Sequence, residues 1–431
     1  MVSRLGSRLD PVTRGWAVIF LGSTTRLVLG FVASVLIARE LGPAVFGVYV
    51  ILAAVSSLAG ALADLGLSES AVQRIASLGT KDPAKARERG QTFFWLRLGA
   101  SLLLLAGGGL LSGPLSMGIG IPHQAALLTL ALVGVVATAM SGSVSTLLQA
   151  MGRFGSITLV MLTNAVLTVL LAGILIQGGE LTIITALVVL GVGTSLASFV
   201  VGLRLLPPGW LPGLPSGRLF RSEARALLRF GLWLWVGGVL AMLATQIDLL
   251  LLNRWLDPAT LGAYGLALNL ASKVDVVQHS LYTALLPAAS AARGEETVDS
   301  YVKRGLIRSA LLAVVLLPLF PLADPLILFF YGSAYAPAVL LFRLLLGVAI
   351  FDLLVSPLLL LAFTFNRPRL LAGADAVRVG TLTTLAIVLI PGYGPVGAVA
   401  ARFVSRFAGA VFTLALLSRS RRIEVPVSPA D

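Results

Sequence analysis

Apolar positions in this chain come in long unbroken runs separated by short polar segments. Twelve such runs follow one another, at 15–38, 46–66, 91–112, 121–141, 155–177, 181–206, 230–253, 262–287, 306–323, 336–364, 369–390 and 395–418. Each approaches or exceeds the roughly 20 residues that cross a hydrocarbon core about 30 Å thick as a helix. The first run is too long for a signal-peptide core and no small-residue cleavage site follows it, so it reads as helix 1. The pattern predicts an all-α integral membrane protein of twelve transmembrane helices. Two longer polar stretches interrupt it. Residues 68–90 predict a short surface helix, and 207–229, proline-rich and then basic from Arg218, predict a linker whose second part lies along the membrane surface.

A repeat organises these helices. RELGPAVFGVY at 39–49 recurs as RWLDPATLGAY at 254–264, 215 residues later, with six of the eleven positions identical. Composition alone supplies about one match. The shared residues are Arg39/Arg254, Leu41/Leu256, Pro43/Pro258, Ala44/Ala259, Gly47/Gly262 and Tyr49/Tyr264. Because the offset is half of 431 residues, the chain reads as two copies of one unit. Six helices per copy give both copies the same orientation, as parallel repeats about an axis along the membrane normal with a central cavity between them. The expected domains are an N-terminal six-helix lobe (1–206), a cytoplasmic linker (207–229), a C-terminal six-helix lobe (230–418) and a disordered cytoplasmic tail (419–431).

Composition agrees. At 57% hydrophobic and 12% charged residues, with a mean hydropathy of +0.96, too little polar surface exists to coat a soluble body of this size. The net charge of +13 points at nucleic acid until its distribution is considered. Of the 32 Lys and Arg, 25 fall in alternate segments, and the intervening loops at 113–120, 178–180 and 391–394 carry none. That is the positive-inside pattern, with both termini cytoplasmic and no nucleic-acid partner. The absence of cysteine excludes thiol chemistry and disulfides.

The candidate chemistry points away from an enzyme. No polar segment is long enough for a soluble domain, the only histidines are His123 and His279, and no metal or cofactor pattern is present. His123, beside Pro122, reads as interfacial. The informative residues are charges within the spans, each costing about 2.5–3.5 kcal/mol at a helix centre on insertion scales. Ser23, Arg26, Gly30 and Ser34 share one small and polar face of helix 1; Ser56, Gly60 and Asp64 do so on helix 2, and Gly238, Ala241, Thr245 and Asp248 on helix 7. On helix 8, Ser272, Asp275 and His279 share a face, with Lys273 elsewhere. These stripes either line a polar cavity or let helices pack closely. Arg26 and Lys273 have no acidic neighbour on their own helical faces and are favoured as cavity cations for an anionic, phosphate-bearing substrate. Asp248 and Asp275 are candidates for ion coupling or sugar contact, and Gln246, Thr245 and Ser272 could meet sugars. Asp64 divides evenly between a substrate and a structural role. Arg402 and Arg406 are expected to pair with Asp352 or Asp375, and Asp375 with Arg378.

Four segments carry a family resemblance: ARELGPAVFGVYV at 38–50, DLGLSESAVQR at 64–74, QIDLLLLNRWLDPATLGAYGLA at 246–267 and FFYGSAYAPAVLLFRLL at 329–345. With the twelve-helix pattern they resemble the bacterial polysaccharide-biosynthesis flippases, the O-antigen and exopolysaccharide repeat-unit translocases of the multidrug/oligosaccharidyl-lipid/polysaccharide superfamily. The resemblance implies a MATE-like fold in the bacterial inner membrane that moves undecaprenyl-diphosphate-linked glycans to the periplasmic face. It further implies a polysaccharide polymerase and a chain-length regulator as partners, and no cofactor. Arg39, Gly42, Pro43, Gly47, Tyr49, Arg254, Pro258, Gly262 and Tyr264 then shape the outer turns. A drug exporter of the same superfamily is disfavoured because helix 1 carries Arg26 and no carboxylate. A lipid II flippase normally has two further C-terminal helices. A major-facilitator porter has a short Gly/Asp/Arg-rich turn where this chain has 68–90.

Overall fold

The computed structural model describes residues 11–78, 82–210, 213, 217–274, 285, 295–361 and 369–421. Among them every regular element is a helix. In chain order these are α1 (Pro11–Asp64), α2 (Leu67–Leu78), α3 (Pro83–Leu110), α4 (Ser112–Ile119), α5 (Ala125–Ala150), α6 (Phe154–Gln177) and α7 (Ile183–Leu205). There follow α8 (Gly217–Leu252), α9 (Pro258–Ala271), α10 (Glu295–Leu316), α11 (Leu319–Tyr331), α12 (Pro337–Leu359) and α13 (Arg369–Arg421).

Eight helices among the described residues are long and apolar enough to cross a membrane, or nine if α10 and α11, bent by 42° where they meet, count as one span. The expected twelve are not reached as separate spans, for identifiable reasons. The runs 15–38 and 46–66 merge into the 54 residues of α1, broken only at Gly42 (φ 69°, ψ 167°). The runs 369–390 and 395–418 likewise merge into α13, broken at Gly394 (φ 57°, ψ −138°). Both breaks use backbone angles that only glycine adopts at low cost, and each is followed by a proline, Pro43 or Pro395, whose missing N–H is harmless at a helix start. Of the run 262–287, only the residues up to Val274 and Leu285 are described.

The chain divides into two compact units, Met1–Gly42 with Tyr49–Val239, and Pro43–Val48 with Leu240–Asp431. The core of the first gathers Leu67, Phe93, Leu147, Leu148 and Leu227. Within it α2 lies in the first part of 68–90, where a short surface helix is expected, and buries Leu67, Ser70, Ala71 and Ile75 on one face. The second unit is centred on Leu285, Leu346, Leu353 and Leu360. Large apolar side chains also face outward: Leu103, Leu110 and Phe329 are 76%, 86% and 76% exposed. In water this would be an aggregation liability, whereas in lipid it is the solvated surface. The stretch 217–229, expected as a surface-lying linker, is continuous with the helix that follows: α8 is one helix of 36 residues. The N-terminal ten residues, the tail beyond Arg421, Asp275 and His279 lie outside the described residues.

Candidate functional site: charges within the spans

Helix α1 carries Arg26 on an exposed turn. Ser23, Thr24 and Thr25 beside it are exposed as well, and the Thr25 hydroxyl donates to Leu21 O at 2.9 Å, returning to its own helix. Farther along the same face, Gly30 and Ser34 are half-buried. A Cβ built on Gly30, or on the stripe glycines Gly60 and Gly238, meets nothing within 4 Å among the described residues. These glycines therefore do not serve helix–helix contact, which removes the close-packing account of the stripes at those three positions.

Close packing is found at the repeated motif instead. A Cβ on Gly47 would lie 2.0 Å from Pro258 O, and a Cβ on Gly262 would lie 2.0 Å from Pro43 O. The contact is reciprocal, each motif's glycine receiving the other motif's proline carbonyl, as in a local two-fold. Gly66, with φ 67°, makes a comparable contact in the first unit: its Cβ would lie 2.1 Å from Gly231 O.

Arg97, Arg343, Arg378, Arg402 and Arg406, also on apolar helices, are compensated by carboxylates. Arg97 lies 3.4 Å from Asp64, whose carboxylate also accepts from the Ser68 hydroxyl at 2.5 Å. Arg343 pairs with Asp324 and donates to Phe320 O at 2.9 Å. Arg406 pairs with Asp352 at 3.4 Å and Arg378 with Asp375 at 3.0 Å, both among the pairings read from the sequence.

Arg402 takes a partner outside the expected pair. Its Nε and Nη2 donate at 2.8 Å each to the two oxygens of Asp248, and Nη2 also donates to Thr245 O at 2.8 Å. The Tyr264 hydroxyl donates to the same carboxylate, as does the Leu249 N–H at 2.9 Å. Asp248 is fully buried and Arg402 is 6% exposed. This two-pronged geometry ties α8, α9 and α13 together and satisfies a charge that would otherwise be unaffordable in an apolar interior. With both oxygens occupied by the chain itself, Asp248 offers neither to a sugar nor to an ion in this arrangement. Gln246, two residues earlier, is half-buried.

Lys273 lies just past α9, half-buried and in contact with other groups of the chain. Arg26 is the contrasting case: exposed, and without an ion pair among the described residues. Among those residues no group of three or more His, Asp or Glu could hold a metal ion. His123 sits exposed in the turn before α5 with φ 68°. At the start of α9, Asp257 caps the helix, accepting from the Thr260 hydroxyl at 2.6 Å and from the Ala259 and Thr260 N–H groups at 2.9 and 3.0 Å. The Thr260 hydroxyl and these amides hold its carboxyl below the usual carboxylate range.

Residues 12–293 match the model of a family described as polysaccharide biosynthesis protein. No curated protein matches the chain. Several solved structures do. The lipid II flippase MurJ in an inward closed conformation superposes with a TM-score of 0.72 at 14% identity, covering 93% of this chain and 87% of its own. An inward-facing multidrug resistance MATE transporter of the MOP superfamily gives 0.69 at 15% identity over 93% and 96%. A MOP superfamily transporter from Pyrococcus furiosus, whose structure is described as having a binding pocket of reverse polarity, gives 0.64 at 17% over 96% of each chain. At such identities the likeness concerns the fold.

Proposed function

The chain belongs to the polysaccharide biosynthesis protein family, and from that premise we propose that it is a flippase of the multidrug/oligosaccharidyl-lipid/polysaccharide superfamily for undecaprenyl-diphosphate-linked oligosaccharide repeat units. It carries them from the cytoplasmic to the periplasmic face of the inner membrane by alternating access, with both termini cytoplasmic, and supplies lipopolysaccharide, exopolysaccharide or capsule synthesis. A polysaccharide polymerase and a chain-length regulator are its partners in that work. A diphosphate and its sugars cannot enter hydrocarbon unaided, whereas a polyprenyl tail is at home there. A protein that moves such a lipid needs an anchor for the head and none for the tail.

The observation that carries this reading is Arg26. Placing an arginine on an apolar helix is costly, and Arg97, Arg343, Arg402 and Arg406 offset that cost with carboxylates. Arg26 stays exposed beside Ser23, Thr24 and Thr25, the setting of a cation that completes its coordination with a substrate phosphate. Lys273, in the second copy, is the second candidate cation for the head, and Gln246 and Asp275 are candidates for sugar contact. The structural likeness to a lipid II flippase favours a close second reading, in which the diphosphate lipid is a peptidoglycan precursor.

The test is surface glycan in a flippase-deficient strain, read beside membrane protein level. Arg26→Ala and Lys273→Ala abolish export at normal protein level, and Arg26→Lys keeps part of it, since the charge survives without the two-pronged geometry. Full export by both alanine variants would overturn the assignment.

A further inference from the structure

We infer that the exposed face of the first turns of α8 is a docking surface for anionic phospholipid headgroups of the leaflet on the basic side of the membrane. This goes beyond the transported substrate and does not depend on which glycan is carried. Arg221, Arg225 and Arg229 follow one another at four-residue steps, so they line one face of α8 over about 12 Å of helix axis. All three are exposed, and none makes an ion pair among the described residues. The one carboxylate in this stretch, Glu223, faces the other way: it is 8% exposed and receives Arg89 Nε at 2.5 Å. Ala224 and Leu227 are buried on that inner side, and Leu227 O accepts from the Ser70 hydroxyl at 3.1 Å. The inner face thus fixes the rotation of the helix, and the arginine face cannot turn away. Like charges one turn apart repel, so a face of three arginines calls for a counter-anion that the helix does not provide.

The same face continues as Leu232 and Val236, which lie within the same arc of the helix and are 46% and 44% exposed. Cationic first and apolar next, it matches a molecule with an anionic head and an apolar body rather than a soluble phosphate. At about 1.5 Å per residue, the 36 residues of α8 exceed a hydrocarbon core of about 30 Å, so the arginine turns project beyond it to headgroup depth. The charges are spread along the axis instead of converging on one point, which suits several single-phosphate heads better than one diphosphate. Arg74, 5.6 Å from the centroid of the Phe230 ring, marks the level at which the face passes from charge to apolar surface.

The test uses the purified full-length protein in mild detergent, titrated separately with phosphatidylglycerol, phosphatidylcholine and undecaprenyl diphosphate, with bound lipid counted by native mass spectrometry. Each arginine at a membrane surface contributes roughly fivefold in affinity, so the triple variant R221Q/R225Q/R229Q binds phosphatidylglycerol on the order of a hundredfold more weakly. Phosphatidylcholine binding stays unchanged, and raising the salt concentration weakens the wild type toward the variant. The triple lysine variant retains binding, because point charges suffice. If the triple glutamine variant does not fold, each single substitution must still show its roughly fivefold loss. Unchanged phosphatidylglycerol binding in the glutamine variants overturns the proposal. So does a loss confined to undecaprenyl diphosphate, which would assign the face to the substrate's path.

Discussion

The two copies of the repeated motif, 39–49 and 254–264, share their backbone contacts but close their turns and place their tyrosines differently. Gly47 and Gly262 receive each other's proline carbonyls at the same 2.0 Å from a built Cβ. The turns that lead into these helices are made by unrelated means. The first copy uses Gly42 in a conformation restricted to glycine (φ 69°, ψ 167°), while the second uses Asp257 at an ordinary extended φ of −69°, capping α9 with its side chain. The tyrosines diverge too: Tyr264 is fully buried on Asp248, whereas Tyr49 is half-buried and Ala33 stands 215 residues before Asp248. The lesson is that sharing follows steric tolerance. A glycine whose Cβ would enter a carbonyl has no substitute, whereas a turn can be closed by conformational freedom or by a cap, and a tyrosine's partner is set by its surroundings.

The sharpest way to break the comparison is at the shared glycines. Gly47→Ala and Gly262→Ala each force a methyl into a backbone oxygen that cannot move aside, so each loses most of the folded protein, as read by monodisperse material from size exclusion in detergent. Normal yields of both would show that the reciprocal contact does not hold α1 and α9 together.

Next in size is the pair peculiar to the second copy. Asp248→Ala or Arg402→Ala strands its partner and costs about 3–5 kcal/mol. Replacing both, as Asp248→Leu with Arg402→Met, restores much of the loss, because no uncompensated charge remains. Thermal melts of the three variants decide it: a double variant less stable than either single would show that the pair itself, and not its charge balance, supports the fold.

The two turns then give smaller, graded responses. Gly42→Ala costs about 1–3 kcal/mol through backbone strain, although its Cβ would meet nothing within 4 Å. Equal melting temperatures for variant and wild type would mean the turn relaxes to an ordinary conformation. Asp257→Ala removes the cap and costs about 1 kcal/mol, whereas Asp257→Asn keeps nearly all of it. The Asp257 carboxyl is held below its ordinary range when folded, so its contribution is complete at neutral pH and fades only as pH falls through the lowered folded value. Melting temperatures followed into acid should therefore converge for wild type and Asp257→Ala only at the bottom of that range, and convergence near neutrality would contradict it.

What the sequence determined by itself is what depends on local composition: the apolar runs, their lengths, the charge placement and the repeat. Hydrophobicity acts residue by residue on the choice between water and lipid, so it is legible without contacts. Pairings within three or four residues were legible for the same reason, as with Asp375 and Arg378. The tertiary structure alone decided how each helix is rotated and which charges meet. Arg402 reaches Asp248 across 154 residues, not Asp352 or Asp375, because the rotations of α8 and α13 bring those two groups together. Hydropathy is nearly blind to that rotation in helices that are apolar all round. The same holds for the glycines, which read identically along the chain. Only the folded backbone separates Gly47 and Gly262, pressed against carbonyls, from Gly30 and Gly60, whose missing side chains leave open space.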